Sequence, residues 1–218
     1  MNVLAIETAT NAVSVALKKG EVVCERAARD TVARAETVLD LLRALCAETD
    51  TGLDAIDAIA FGRGPGSFTG LRVAAAVAQG LAYPRDLPVI PISSLAALAQ
   101  EAPGRRVLAA LDARRDEVYY GCFRREDNGL VVPLGEEQVA APALVFCPEG
   151  VDLVVGSGAD QYGDHFPPAL AQVRDRGRVP TARGVLALGV EAYGRGAWVR
   201  ACDALPVYLR DDVAKVRA

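Results

Sequence analysis

The chain is poor in the residues that most often carry chemistry. Its 218 residues include one histidine, one methionine and one tryptophan, and aromatics make up 6%. A Ser/His/Asp or Cys/His hydrolase would have to use His165 as its base, and no G-x-S-x-G nucleophile elbow is present, because Gly66-Ser67 runs into Phe68 and Thr69. A loop histidine in Gly163-Asp-His-Phe-Pro167 reads as solvated, not as a metal ligand. Cysteines 24, 46, 122, 147 and 202 contain no C-x-x-C pair, which excludes a zinc ribbon or disulfide frame and leaves reduced, mostly buried thiols. No apolar run reaches the roughly 18 residues of a membrane helix. The opening Met1-Asn-Val-Leu-Ala-Ile-Glu7 lacks the basic start of a signal peptide, so a soluble, cytoplasmic protein is expected. The net charge of −4 argues against a protein that grips nucleic acid alone. Local clusters at Arg105, Arg106, Arg114 and Arg115, and at Arg174, Arg176 and Arg178, read as solvated surface.

What is present repeats. The continuous apolar run Val3–Ile6 ends in Glu7, and a polar turn follows. Val13, Val15 and Leu17 then fall at strand period, a Lys-Lys-Gly turn follows, and Val22–Cys24 forms a short third strand. In the second half Leu108–Leu111 ends in Asp112, Val118 and Tyr120 follow at strand period, and a turn at Asp127-Asn-Gly129 leads to Leu130–Val132. Each copy has a later strand entering glycines: Ala58–Phe61 before Gly62, and Leu153–Val155 before Gly156. The shared order of strands, acid and glycine loop indicates an internal duplication. The expected fold is α/β, with an amino-terminal lobe over 1–104 and a smaller carboxy-terminal lobe over 105–218.

Two such lobes describe the actin/hexokinase/Hsp70 superfamily, with its ribonuclease H-like, duplicated mixed sheets flanked by helices. In related kinases, acids placed like Glu7 and Asp112 help to hold a metal at the cleft. An acid ending a strand also simply starts a turn, and Asp112 is read that way.

The sharpest local feature is Gly62-Arg-Gly-Pro-Gly-Ser-Phe-Thr-Gly-Leu-Arg72. Gly64 and Gly66 allow unusual backbone angles, Pro65 stiffens the bend, and Ser67 is a good cap for a helix over about 68–83, stopped by Pro84. Free amides at that helix start suit an anion, and with the first strand's end they make Glu7, Thr8, Gly64, Gly66 and Ser67 the candidate nucleotide or anion site. The P-loop lysine is absent, and plain helix capping accounts for the loop equally well. The helix is apolar on nearly every side, with Arg72 and Gln79 sharing one polar patch. The preceding helix, over about 31–48, carries an apolar arc of roughly 160°. Surplus apolar surface on neighbouring helices suits either a thickly covered core or a protein contact. The candidate contact residues are Val38, Leu41, Leu42, Leu45, Thr69, Arg72, Val73, Ala76, Val77 and Gly80.

The glycine segment resembles the signature of the TsaB family. Leu4-Ala-Ile-Glu-Thr-Ala-Thr10, Val107-Leu-Ala-Ala-Leu-Asp-Ala-Arg114, Glu117-Val-Tyr119 and Pro206-Val-Tyr-Leu-Arg210 are similar to further family blocks, so the match spans nearly the whole chain. The resemblance implies an actin-like fold without catalytic residues, metal or cofactor. It implies a place in the machinery that puts threonylcarbamoyladenosine beside the anticodon of tRNA. Its implied partners are a TsaD-like transferase, bound through helices of the first lobe, and a TsaE-like ATPase. A homodimer through the same surface is implied for the chain alone, and tRNA contact only within the complex. TsaD-type proteins carry a His-x-x-x-His metal pair that one histidine cannot supply. The region Arg29-Asp-Thr-Val-Ala-Arg-Ala-Glu-Thr37 lacks the histidine many family members have there, so no contact of that histidine is carried over. The competing reading is a small-molecule kinase or ATPase of the same superfamily.

Overall fold

The computed structural model of the protein describes residues 1–29, 32–148 and 150–210. The expected helix start at Thr31, and residues 211–218 of the expected second lobe, lie outside the described residues.

The first sheet is built from β1 (Asn2–Glu7), β2 (Val13–Lys19), β3 (Val22–Ala28), β4 (Ala58–Gly64) and β5 (Val89–Ser93), with helices α1 (Ala35–Thr49), α2 (Phe68–Ala82) and α3 (Ser94–Glu101) in the connections. The second contains β6 (Arg106–Arg114), β7 (Glu117–Arg125), β8 (Val131–Pro133), β9 (Gln138–Ala140), β10 (Leu153–Val155) and β11 (Arg174–Asp175), with α4 (Ser157–Tyr162), α5 (Pro168–Ala171) and finally α6 (Ala182–Gly194). The strand orders are β3-β2-β1-β4-β5 and β11-β10-β6-β7-β8, with β9 beside β7. In each lobe the first strand pairs antiparallel with its hairpin partner and parallel with the strand that enters glycines. The duplication therefore extends to hydrogen-bonding direction. The third strand is longer than the sequence suggested, running from Val22 to Ala28 along the whole of β2.

The near-continuous apolar strands follow from coverage on both faces. Leu4, Ile6, Val15 and Phe61 point to α1 and α2, where Val38, Leu42, Leu45, Ala74 and Ala78 meet them. Val3, Ala5, Ala16, Ala58 and Ala60 point the other way, to α6. That second face is made of small residues, so α6 can approach closely, and Gly189 sits over the Ala60 methyl.

Here the structure departs from a simple division at residue 104. Helix α6 packs on the first sheet, with Ala182, Val185, Leu186 and Ala192 in its core. Its first amides are anchored there too: Ala182 N donates to Ser14 Oγ at 2.8 Å, and Arg183 N to Glu25 Oε1 at 2.9 Å. Conversely α3 contributes Leu95 and Leu98 to the core of the second sheet, against Val107, Ala109, Leu111 and Phe123. The two helices cross between the sheets, and a Cβ at Gly184 would collide with the Ala97 carbonyl. Each lobe is thus completed by a helix from the other half of the sequence.

Candidate functional site: an interlobe cleft beside an exposed helix

A cleft of about 690 Å³ opens between the lobes. The first lobe supplies Ala9, Thr10 and Asn11 after β1 and Gly66 to Gly70 at the start of α2. The second supplies Leu111 to Arg115 and Tyr119 from the β6–β7 hairpin, with Ser157 and Gln161 of α4.

The five residues expected to form an anion site are separated by the structure. Gly66 and Ser67 line the cleft, whereas Glu7, Thr8 and Gly64 are buried away from it. Glu7 is completely shielded from solvent; its Oε1 accepts from Ala9 N at 2.6 Å and its Oε2 from Ser94 Oγ at 2.8 Å. Burial pushes its pKa up to about 7, against the lowering influence of the Ala9, Ser94 and Thr8 hydrogen bonds. A carboxyl so enclosed does not reach a ligand in the cleft. Thr8 is equally buried and spends its hydroxyl on Gly70 O at 2.7 Å. Gly64 has a φ of 108°, beyond the reach of ordinary side chains, and a Cβ there would meet Leu71 and the Val207 carbonyl.

Ser67 does cap α2, accepting from Gly70 N at 3.4 Å, and its own amide donates to Ala9 O at 2.7 Å. The glycine loop is thereby tied to the β1–β2 turn, with Gly66 pressed against Ala9. Three amides at this helix start, those of Ser67, Gly70 and Leu71, are already engaged. Asp112, by contrast, faces the cleft. Its Oδ1 accepts from Arg114 N at 2.8 Å and its Oδ2 pairs with Arg114 Nη1 at 3.2 Å. It holds its own hairpin, in line with the turn-starting reading.

The expected contact residues also divide. Val38, Leu42, Leu45 and Val77 are buried in the first lobe's own core, and Leu41 and Val73 are half-buried against it. The surplus apolar arc of α1 is largely consumed by β2 and β3 beneath it. Thr69, Arg72, Ala76 and Gly80 are exposed, and their spacing puts them on one face of α2. Phe68 at 41% and Tyr83 at 76% exposure stand at the two ends of that face. Sequence reasoning gave Tyr208 no place in a site, yet it reaches back from the chain's end to this helix; its hydroxyl accepts from Arg72 Nε at 3.2 Å. His165 is exposed in the turn Gly163–His165 and does not line the cleft. Among the thiols, Cys122 and Cys147 are buried, Cys24 and Cys46 are half-buried, and Cys202 is exposed. Among the described residues, no helix is long and apolar enough to cross a membrane.

Residues 2–159 match the family model described as TsaD: tRNA N6-adenosine threonylcarbamoyltransferase. Over 98% of its length the chain is 37% identical to 96% of the tRNA threonylcarbamoyladenosine biosynthesis protein TsaB of Escherichia coli. The chain belongs to the TsaB family. The TsaB protein of Haemophilus influenzae is likewise 37% identical, over 98% of this chain and 95% of that one. The solved structure of YeaZ from Pseudomonas aeruginosa superimposes with a TM-score of 0.90 at 40% identity, covering 95% of this chain and 99% of that one. A second Pseudomonas aeruginosa structure, described as similar to peptidase YEAZ, matches with the same score and identity over 96% of this chain and 99% of that one. TsaB membership accounts for the shared lobe architecture.

Proposed function

We propose that this TsaB-family chain is a non-catalytic subunit of the machinery that makes threonylcarbamoyladenosine in tRNA. It docks and activates a TsaD-type transferase through the exposed face of α2. A TsaE-type ATPase joins the assembly, tRNA is met only within it, the chain alone pairs with itself through the same face, and all of this takes place in the cytoplasm. The observation that carries the reading is full-length kinship with TsaB proteins in a chain whose one histidine cannot supply a His-x-x-x-His metal pair. The α2 face supports it. Ala76 and Gly80 form a low, exposed track that a partner helix can approach closely, with Arg72 at one end and half-buried Val73 beside it.

Ala76→Arg tests the placement. Ala76 is exposed and arginine is a good helix former, so the variant folds. It is expected to lose co-elution with the TsaD-type protein at concentrations where the wild type forms a complex; retained co-elution removes this face from the interface.

The cleft volume favours a second reading, a nucleotide-binding kinase or ATPase, because about 690 Å³ is ample for a nucleotide. Asp112 would then be the acid available to a metal, with Ser67 at the phosphates. Titration with Mg-ATP separates the two: micromolar binding lost in Asp112→Ala favours the enzyme, and absence of heat favours the docking subunit.

A further inference from the structure

Residues 204–210 follow the short turn Ala201–Asp203, and the carboxy-terminal block Pro206–Arg210 has no place yet in the docking reading. Its polar groups are engaged along its length. Gln79 Nε2 of α2 donates to Ala204 O at 3.0 Å, and Val207 N donates to Arg63 O, near the end of β4, at 2.8 Å. Arg72 Nε donates to the Tyr208 hydroxyl at 3.2 Å. The Arg72 guanidinium lies 3.6 Å from the centre of the Phe68 ring, and the Phe68 and Tyr208 rings are 5.6 Å apart. These three side chains form a locked cluster on the exposed end of α2.

Two residues further on, the chain reaches the other lobe. Arg210 Nη1 donates to Ala113 O at 3.2 Å, and Nη2 to the Glu117 carboxylate, so one side chain grips both arms of the β6–β7 hairpin. From Tyr208 to Arg210 the backbone can reach at most about 7 Å, which keeps the two anchors close together. The gripped hairpin is an unusual one: Arg114, Arg115 and Asp116 have φ of 62°, 57° and 58°, a left-handed run without glycine. Such a turn persists because its surroundings hold it, and Arg210 is one of its holders. Both Arg114 and Arg115 line the cleft.

We infer that residues 204–210 are a strap that couples the exposed face of α2 to the β6–β7 hairpin, so that a protein seated on α2 steadies the hairpin and with it the mouth of the cleft. The partner half of this inference rests on the docking reading; the mechanical link within the free chain does not. One end of the strap holds α2 and the other holds the left-handed turn, and the tie between them is two residues of backbone anchored by hydrogen bonds at each end.

Hydrogen–deuterium exchange on the full chain tests it, read at residues 112–118 with β3 as a remote reference. In the free protein, Tyr208→Ala is expected to raise exchange at 112–118 about fivefold while β3 stays unchanged. Unchanged exchange at 112–118 overturns the link. A joint rise in both segments overturns it too, because it reports general loosening. Adding a TsaD-type protein to the wild type is expected to slow exchange at 112–118, and Arg210→Ala is expected to bind that protein equally well while losing the protection. Protection kept in Arg210→Ala overturns the coupling in favour of direct contact. Failure of the wild type to bind the partner overturns the docking reading and the partner half together, and the Tyr208→Ala result in the free chain then decides the strap by itself.

Discussion

The Ser94 hydroxyl donates a 2.8 Å hydrogen bond to Oε2 of Glu7, and both side chains are fully shielded from solvent. Ser94 opens α3, the helix that completes the second lobe, whereas Glu7 ends the first strand of the first. The neighbouring Ser93 caps the same helix and donates to Glu137, a carboxylate between β8 and β9 of the second lobe. Two consecutive serines thus hold one acid from each half of the molecule. The acid that most resembles a metal ligand in the sequence belongs to this junction.

A pH dependence follows from Glu7. Its folded pKa lies near 7, above the ordinary value of 4.5, because burial disfavours the charged form. Between those values the folded state holds a proton that the unfolded state has released. The contribution is therefore fully present below pH 4.5 and lost as pH rises to about 7, by as much as roughly 3 kcal/mol. Denaturant unfolding across that range is expected to show this decline in the wild type and a flatter profile in Glu7→Gln. Equal slopes would mean that Glu7 is not a buried proton reservoir.

Two glycine substitutions should act in opposite directions. In Gly184→Ala the new methyl has the Ala97 backbone in its way at the α3–α6 crossing, so a loss of about 1–3 kcal/mol is expected. Gly80 on α2 has nothing within 4 Å of its would-be Cβ, and Gly80→Ala should raise stability by up to about 1 kcal/mol. Thermal melts of the two variants check the pair. A neutral Gly184→Ala would contradict the tight crossing.

Leu45 illustrates how far the sequence could be read. Its apolar arc on α1 was legible, and so were the meander, the duplication and the glycine loop, because strand and helix periods are local. Which surface an arc faces is not local: Leu45 is fully buried between α1 and the first sheet, not offered to a partner. The exchange of α3 and α6 between lobes was equally hidden, since periodicity reports an amphipathic stripe without naming the sheet that covers it. Glu7 was misleading for a related reason. β1 is buried on both faces, so its pattern does not say where the terminal acid points. Thr69, Arg72, Ala76 and Gly80, named among the candidate contact residues from the sequence, are the ones that form the exposed track of α2.

Core placement gives its own prediction. Leu45→Ala should cost about 2–5 kcal/mol of folding stability while leaving affinity for a TsaD-type partner unchanged in the folded fraction. Val77→Arg should fail to fold stably, because Val77 is only 8% exposed. Urea unfolding paired with calorimetric binding separates these core residues from the docking face.

The most direct measurement is the threonylcarbamoyladenosine content of bulk tRNA in cells depleted of this chain and complemented with wild type or Ala76→Arg. Modification is expected to fall on depletion, to return with the wild type and to stay low with Ala76→Arg at equal protein level. Unchanged modification after depletion would contradict the proposed role outright, and full rescue by Ala76→Arg would contradict docking through α2.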